Sequence, residues 1–454
     1  MKYISTNPST GKVLKEYKVL STKQLNKKLN NSTKAFEANK KLSIEDRCNR
    51  IKRLSDVLDR QKEELATSIS VEMGKPIKEA ISEVEKCKSI CQYYAENAKI
   101  YLANKSIDAS FSESTISFEP IGTVLGIMPW NFPFWQVFRF AVPAMVSGNS
   151  VLLKHAPNVP HCAEELEQVF NSIDLPENIF QNLYVTNDQV EQIIKNDAVQ
   201  GVSFTGSLET GSIIGKIAGK NIKKSVLELG GNDAFIILAD ANLKRAAAKA
   251  VQSKMLNCGQ SCIGAKRWIV EESIAPLFIE LVTELMNDLV IDDPRKKKTD
   301  IGPMARPDLL EKLLQQMKKA ESEGAKFIFG GKKMARQGNY IRPGILTNIS
   351  KENTAFREEL FGPIACLITV KDAEEAIEVA NDSKFGLGAS VWSTNIQQAQ
   401  KIAKKLNVGS VFINEMVMSD VHLPFGGTLK SGNGRELGEF GILEFVNIKT
   451  TVIN

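Results

Sequence analysis

Gly201-Val202-Ser203-Phe204-Thr205-Gly206-Ser207-Leu208-Glu209-Thr210-Gly211 reads as a short apolar strand that turns at a Gly-Ser pair into a helix. A helix opening straight off a strand end is the repeating unit of an α/β fold. Outward from this stretch the same alternation recurs. Val124 to Met128, Ser150 to Lys154, Asn182 to Val185 and Ser225 to Glu228 are candidate strands, with helical patterns at Cys162 to Ser172 and Asn187 to Asn196. A second series begins at Ala234 and takes in Arg267 to Val270, Lys326 to Phe329, Ala365 to Val370, Ala389 to Trp392 and Ser410 to Asn414. The expected architecture is α/β, with two parallel-sheet domains. Before Ile116 the pattern is helical: Ser21 to Lys41, Ser43 towards Met73 with Asp46 at an imperfect capping-box spacing, and Ile77 to about Leu102.

Size and composition narrow the function classes. A chain of 454 residues suggests two or three domains at roughly 100–200 residues each, enough to enclose a cleft. The net charge of +5 is a small imbalance between 58 basic and 53 acidic residues. The one dense basic run, Arg295 to Lys298, is flanked by Asp292-Asp293 and Asp300 and reads as a solvated loop, so no nucleic-acid partner is expected. No apolar run approaches the ~18 residues of a membrane span, and residues 1–8 carry no apolar stretch, so no secretory signal is expected there. The seven cysteines include no Cys-x-x-Cys pair and the three histidines are scattered, so neither a disulfide framework nor a metal site is expected. The expected setting is cytoplasmic, without a membrane partner.

Six short motifs carry chemistry when read together. They are Pro129-Trp130-Asn131-Phe132-Pro133, Phe204 to Gly211, Glu228-Leu229-Gly230-Gly231, Gly259-Gln260-Ser261-Cys262 and Glu359-Leu360-Phe361-Gly362-Pro363, followed by Pro424-Phe425-Gly426-Gly427. Each has a plainer alternative taken alone. Cys262 reads equally as a small buried residue, Glu228 as an ion-pair partner, Asn131 as a turn former and Gly206-Ser207 as an ordinary helix cap.

Their order along the chain resembles the aldehyde dehydrogenase superfamily, and the resemblance covers essentially the whole sequence. Asn7 to Lys12, Glu72-Met73-Gly74-Lys75-Pro76, Gly302-Pro303-Met304 and Ser431 to Glu436 fit it as well. Leu153 to Asn158 and Gly409 to Asn414 are most similar to bacterial succinate-semialdehyde dehydrogenases of the shorter, Sad-like type. The resemblance implies a cofactor domain over 1–101 and 121–231, a catalytic domain over 232–430, a β oligomerisation arm over 102–120 and 446–454, and a return to the cofactor domain over 431–445. It implies a homodimer or homotetramer. The arm segments alternate in polarity, and Val446 to Ile453 is expected to pair across subunits.

The resemblance also implies the chemistry. Cys262 is the nucleophile that forms a thiohemiacetal and then a thioester. Asn131 and the Cys262 N–H stabilise the oxyanion, and Glu228 is the general base for hydrolysis. NAD or NADP is the implied cofactor, with Trp130, Lys154, Gly206, Ser207, Leu229, Glu359 and Phe361 as contacts. A helix opened by Gly206-Ser207 suits a pyrophosphate, and the common Gly-x-Gly-x-x-Gly fingerprint is absent. NAD-selective members carry a carboxylate three residues after the lysine. This chain has Pro157, so NADP is expected to be accepted alongside NAD.

Arg139, Gln136 and Ser419 match residues of the aldehyde tunnel. Helical spacing puts Gln136 and Arg139 on one face, and a guanidinium there suits a far carboxylate. The implied substrate is succinate semialdehyde. A structural ion pair for Arg139 would instead mean broad specificity, and glutarate semialdehyde also fits. Some relatives have a second arginine six residues before the nucleophile; here Leu256 stands there. Cys258, four residues before Cys262, is expected to be a packing residue. A cysteine hydrolase would need His155, His161 or His422 as a base, and a non-catalytic scaffold would leave the motif set without a purpose.

Overall fold

The computed structural model describes residues 2–454. Two largely parallel sheets dominate it. The first has six strands in the order Gly432–Asn433, Lys224–Glu228, Val199–Thr205, Thr123–Met128, Ser150–His155, Phe180–Asn182. Only Gly432–Asn433 runs antiparallel to its neighbour. The second has seven, in the order Lys326–Gly330, Gly344–Thr347, Ile364–Val370, Arg267–Glu271, Ala234–Ile237, Gly388–Trp392, Ser410–Ile413. Lys326–Gly330 is its antiparallel edge. Parallel strands covered on both faces are largely apolar, and Thr123–Met128 and Ser150–His155 are buried at every position.

Details differ from the sequence reading. The strand expected at Asn182 to Val185 lies earlier, at Phe180–Asn182; Leu183 and Val185 are buried without extending the ladder. Gly344–Thr347 was not expected, and it inserts between the edge strand and Ile364–Val370.

Three helices precede the first sheet. α1 (Thr22–Lys40) starts in a reciprocal capping box between Ser21 and Gln24. α2 (Ile44–Met73) is capped by Ser43, whose hydroxyl accepts from the Asp46 N–H. It ends at Gly74, in the left-handed region at φ 84°, where a Cβ would lie 2.8 Å from Pro303. α3 (Ile77–Tyr101) packs along α2 and against α4 (Trp135–Val146). All residues of α4 are buried. Its first turn is tied down by Glu83 of α3, which accepts from the N–H groups of Phe134 and Trp135 at 2.9 and 3.0 Å and pairs with buried Lys75.

Val446–Ile453 pairs antiparallel with Glu113–Pro120 of its own chain, with Lys105–Ser106 on the far side. This three-stranded ribbon leaves the outer edge of Val446–Ile453 open. No described helix is long and apolar enough to cross a membrane.

Candidate active site

Two cavities meet at Cys262. The first, of about 660 Å³, lies between α3, α4 and the loop after Ile413, and includes Gln136, Arg139, Leu256, Met416, Ser419 and Phe425 in its wall. The second, of about 550 Å³, includes Trp130, Asn131, Gly206, Ser207, Leu229, Glu359 and Phe361. Cys262 and Gln136 line both.

The backbone before Cys262 explains its position. Asn257, Cys258 and Gly259 are consecutively left-handed, at φ 56°, 56° and 73°. This breaks the helix that ends at Met255, so Cys258 turns away from Cys262. Its sulfur accepts from the Gly302 N–H at 3.1 Å. The strained turn is held by hydrogen bonds from outside it. The Asn257 N–H donates to Glu79, and its amide donates to Asn131 O at 2.6 Å and Gln260 O at 3.1 Å. Asn131 donates to Gln260 O at 3.0 Å. The Asn131 amide thus has one N–H anchored and a second left over.

Cys262 is half-buried. Desolvation pushes its thiol up to about 11; Lys266 and Arg139 pull it down, while Glu359 and Asp233 push it up. Lys266 donates to Cys262 O and pairs with Glu359 at 3.1 Å. Four residues after Cys262, it carries no motif signal, yet it joins the thiol's backbone to the second cavity.

In the second cavity, Ser207 caps the helix Leu208–Lys220 by accepting from the Thr210 N–H. Trp130 and Phe361 meet edge to face at 5.9 Å. Thr205 Oγ is buried without a partner beside the Gly206-Ser207 turn. A helix N-terminus, an orphaned hydroxyl and aromatic walls fit a dinucleotide. Lys154 does not line this cavity. It lies next to the end of the neighbouring strand Ser150–His155, where burial lowers its ammonium to about 8.

Glu228 also lies outside both walls. Its carboxyl rests against Gly426 with no hydrogen-bond partner on either oxygen. Burial and the nearby Glu436 push its pKa far up; Arg139 and Arg435 oppose them. Arg139 is itself ion-paired through Nε with Glu436 and stacks 4.5 Å from the Phe425 ring, while Nη2 has no partner. In the sequence, Glu436 only ends the Ser431 to Glu436 stretch, which carries no sign of its pairing with Arg139.

None of the three histidines lies in either cavity wall. His155 is held by Met128 O and Pro133 O, His161 faces Tyr17 and Glu164, and His422 pairs with Asp420. A hydrolase would have no imidazole for Cys262.

A thiol at the junction of two cavities, one of them suited to a dinucleotide, with amide donors beside it, is equipped for aldehyde oxidation. Residues 1–451 match the model of the aldehyde dehydrogenase family. The chain belongs to the aldehyde dehydrogenase family. It is 43% identical to a probable NADP(+) succinate-semialdehyde dehydrogenase of Synechocystis sp. over all of both chains. It is 44% identical to the NAD(P)+ succinate semialdehyde dehydrogenase Sad of Escherichia coli, covering 98% of this chain and 97% of that one. Among solved structures it superposes on succinic semialdehyde dehydrogenase from Streptococcus pyogenes, in complex with NADP+, with a TM-score of 0.98, 34% identity and 99% coverage of each chain.

Proposed function

We propose that this aldehyde dehydrogenase oxidises succinate semialdehyde to succinate with NADP or NAD. The observation that carries this is Cys262 lining both cavities at once. The sulfur, once ionised, adds to the aldehyde carbon in the first cavity. The oxyanion so formed takes the free Asn131 N–H and the Cys262 N–H, each such donor contributing about 3–4 kcal/mol to the transition state. A nicotinamide bound in the second cavity supplies the two-electron acceptor. Cys262 is then left as a succinyl thioester, which water hydrolyses.

Glu228 is the base for that water. To act, its unpartnered carboxyl turns from Gly426 towards Cys262, away from the burial and the Glu436 charge that raise its pKa. For the dinucleotide, Gly206 and Ser207 would hold the pyrophosphate and Glu359 the nicotinamide ribose. Trp130, Leu229 and Phe361 would form the walls, and Lys154 the adenosine ribose contact. Pro157 places no negative charge near a 2′-phosphate, which supports use of NADP. The cofactors of the Synechocystis and Escherichia coli relatives, NADP(+) and NAD(P)+, agree.

Arg139 and Ser419 are the contacts assigned to the far carboxylate, with Gln136 in the tunnel wall. The Arg139–Glu436 pair favours a second reading, in which Arg139 is structural and specificity is broad. An aldehyde panel with both nicotinamides separates the two. The proposal expects kcat/KM for succinate semialdehyde at least about tenfold above butanal, one charge-assisted hydrogen bond being worth that much. Equal values would establish the broad reading.

Seven unpaired thiols suit a reducing cytoplasm. The open edge of Val446–Ile453, with exposed Ile448, Val452 and Ile453, supports assembly as a homodimer or homotetramer.

A further inference from the structure

α3 presents Lys78, Glu79, Ser82, Glu83 and Lys86 to the first cavity, a stripe at helical spacing. Each carboxylate on that wall is already engaged. Glu83 is held by Lys75 and the start of α4, Asp300 by Lys78, and Glu79 accepts from the Asn257 N–H. Asp420, next to Ser419, is held by His422. Arg139 has Glu436.

Lys86 is the exception. Among the described residues no carboxylate lies within 4.0 Å of its ammonium. It donates to Ser419 Oγ at 2.6 Å and sits 4.5 Å from the Trp135 ring centroid. Burial lowers it to about 8, and the Arg139 charge pushes the same way, opposed weakly by Cys87, Asp420 and Glu83. A half-buried cation without a counter-ion, beside a second cation, is costly unless an anion joins them.

We propose that Lys86, together with Ser419 and Arg139, binds the carboxylate of the aldehyde substrate, supplying the cation that Leu256 does not. This rests on the ω-carboxy aldehyde reading above. Lys86 contributes a charge-assisted N–H to one carboxylate oxygen. The Ser419 hydroxyl accepts from Lys86 and keeps its own O–H to donate to the other.

The test compares kcat and KM for succinate semialdehyde and butanal in wild type, Lys86→Met, Lys86→Gln and Lys86→Arg. Both charge-removing variants should raise KM for succinate semialdehyde about tenfold more than KM for butanal. Lys86→Arg should recover most of that difference, which a purely structural role would not allow. Butanal turnover by the same preparations reports that they are folded. Equal losses on both aldehydes, or an unchanged KM ratio, would overturn the role of Lys86. A wild-type preference that survives Lys86→Met removes Lys86 alone. A wild type with no preference removes the carboxylate reading and Lys86 with it.

Discussion

The two cavities that meet at Cys262 are built differently. The cavity assigned to the aldehyde takes many of its polar groups from α3 and α4, which are cross-tied through Glu83, Lys75 and the α4 N-terminus. The dinucleotide cavity takes its groups from turns at strand ends: Trp130-Asn131, Gly206-Ser207, Leu229 and the Glu359–Phe361 loop, drawn from both sheets. A rigid helix pair suits selection of a small substrate by fixed charges. Turns with free N–H groups suit an extended, charged cofactor. Cys262 sits where the two constructions touch, on a backbone held in an unusual conformation by Glu79, Asn131 and Gln260.

The largest expected effect cuts the junction itself. Cys262→Ser should lower aldehyde oxidation by about 10⁴-fold or more, while NADP still binds, as measured by fluorescence titration. Near-wild-type turnover would detach the thiol from the reaction. Asn131→Ala is next. Asn131 lines the dinucleotide cavity, but its free N–H is assigned to the oxyanion, so kcat should fall about 10²–10³-fold with a smaller change in KM for the dinucleotide. A loss confined to dinucleotide KM would move Asn131 to the cofactor side. The smallest effect belongs to the far end of the cofactor site. Pro157→Glu should raise KM for NADP by about tenfold through charge repulsion and leave the aldehyde KM as it was. The Pro157 carbonyl, which accepts from the Ile4 N–H, survives the change.

This contrast also decides what could be read from sequence. Turns leave local signatures, because glycine, proline and capping residues are demanded by backbone geometry. Trp130, Gly206, Ser207, Leu229, Glu359 and Phe361 could therefore be named from short motifs, and the structure places all of them around one cavity. Lys86 leaves no such mark. It lies in a helix of 25 residues rich in lysine and glutamate, which reads as a solvated face. Only the packing of α3 on α4 turns that stripe inward. Lys266 and Glu436 were hidden for the same reason: their partners, Glu359 and Arg139, are distant in sequence. Glu228 and Lys154 show the converse. Each matches a motif, yet each side chain rests outside the cavity walls, because a motif specifies a residue's place on the backbone and leaves its rotamer to local packing.

The central claim is that one sulfur serves both cavities. It is tested most directly by mixing Glu228→Gln enzyme with succinate semialdehyde and NADP, quenching within a turnover, and mapping acylated peptides by mass spectrometry. The account predicts a succinyl group on Cys262, formed in step with a burst of reduced nicotinamide and only when both ligands are present. Reduced nicotinamide appearing in full while Cys262 stays unmodified, or acylation at another cysteine, would contradict it.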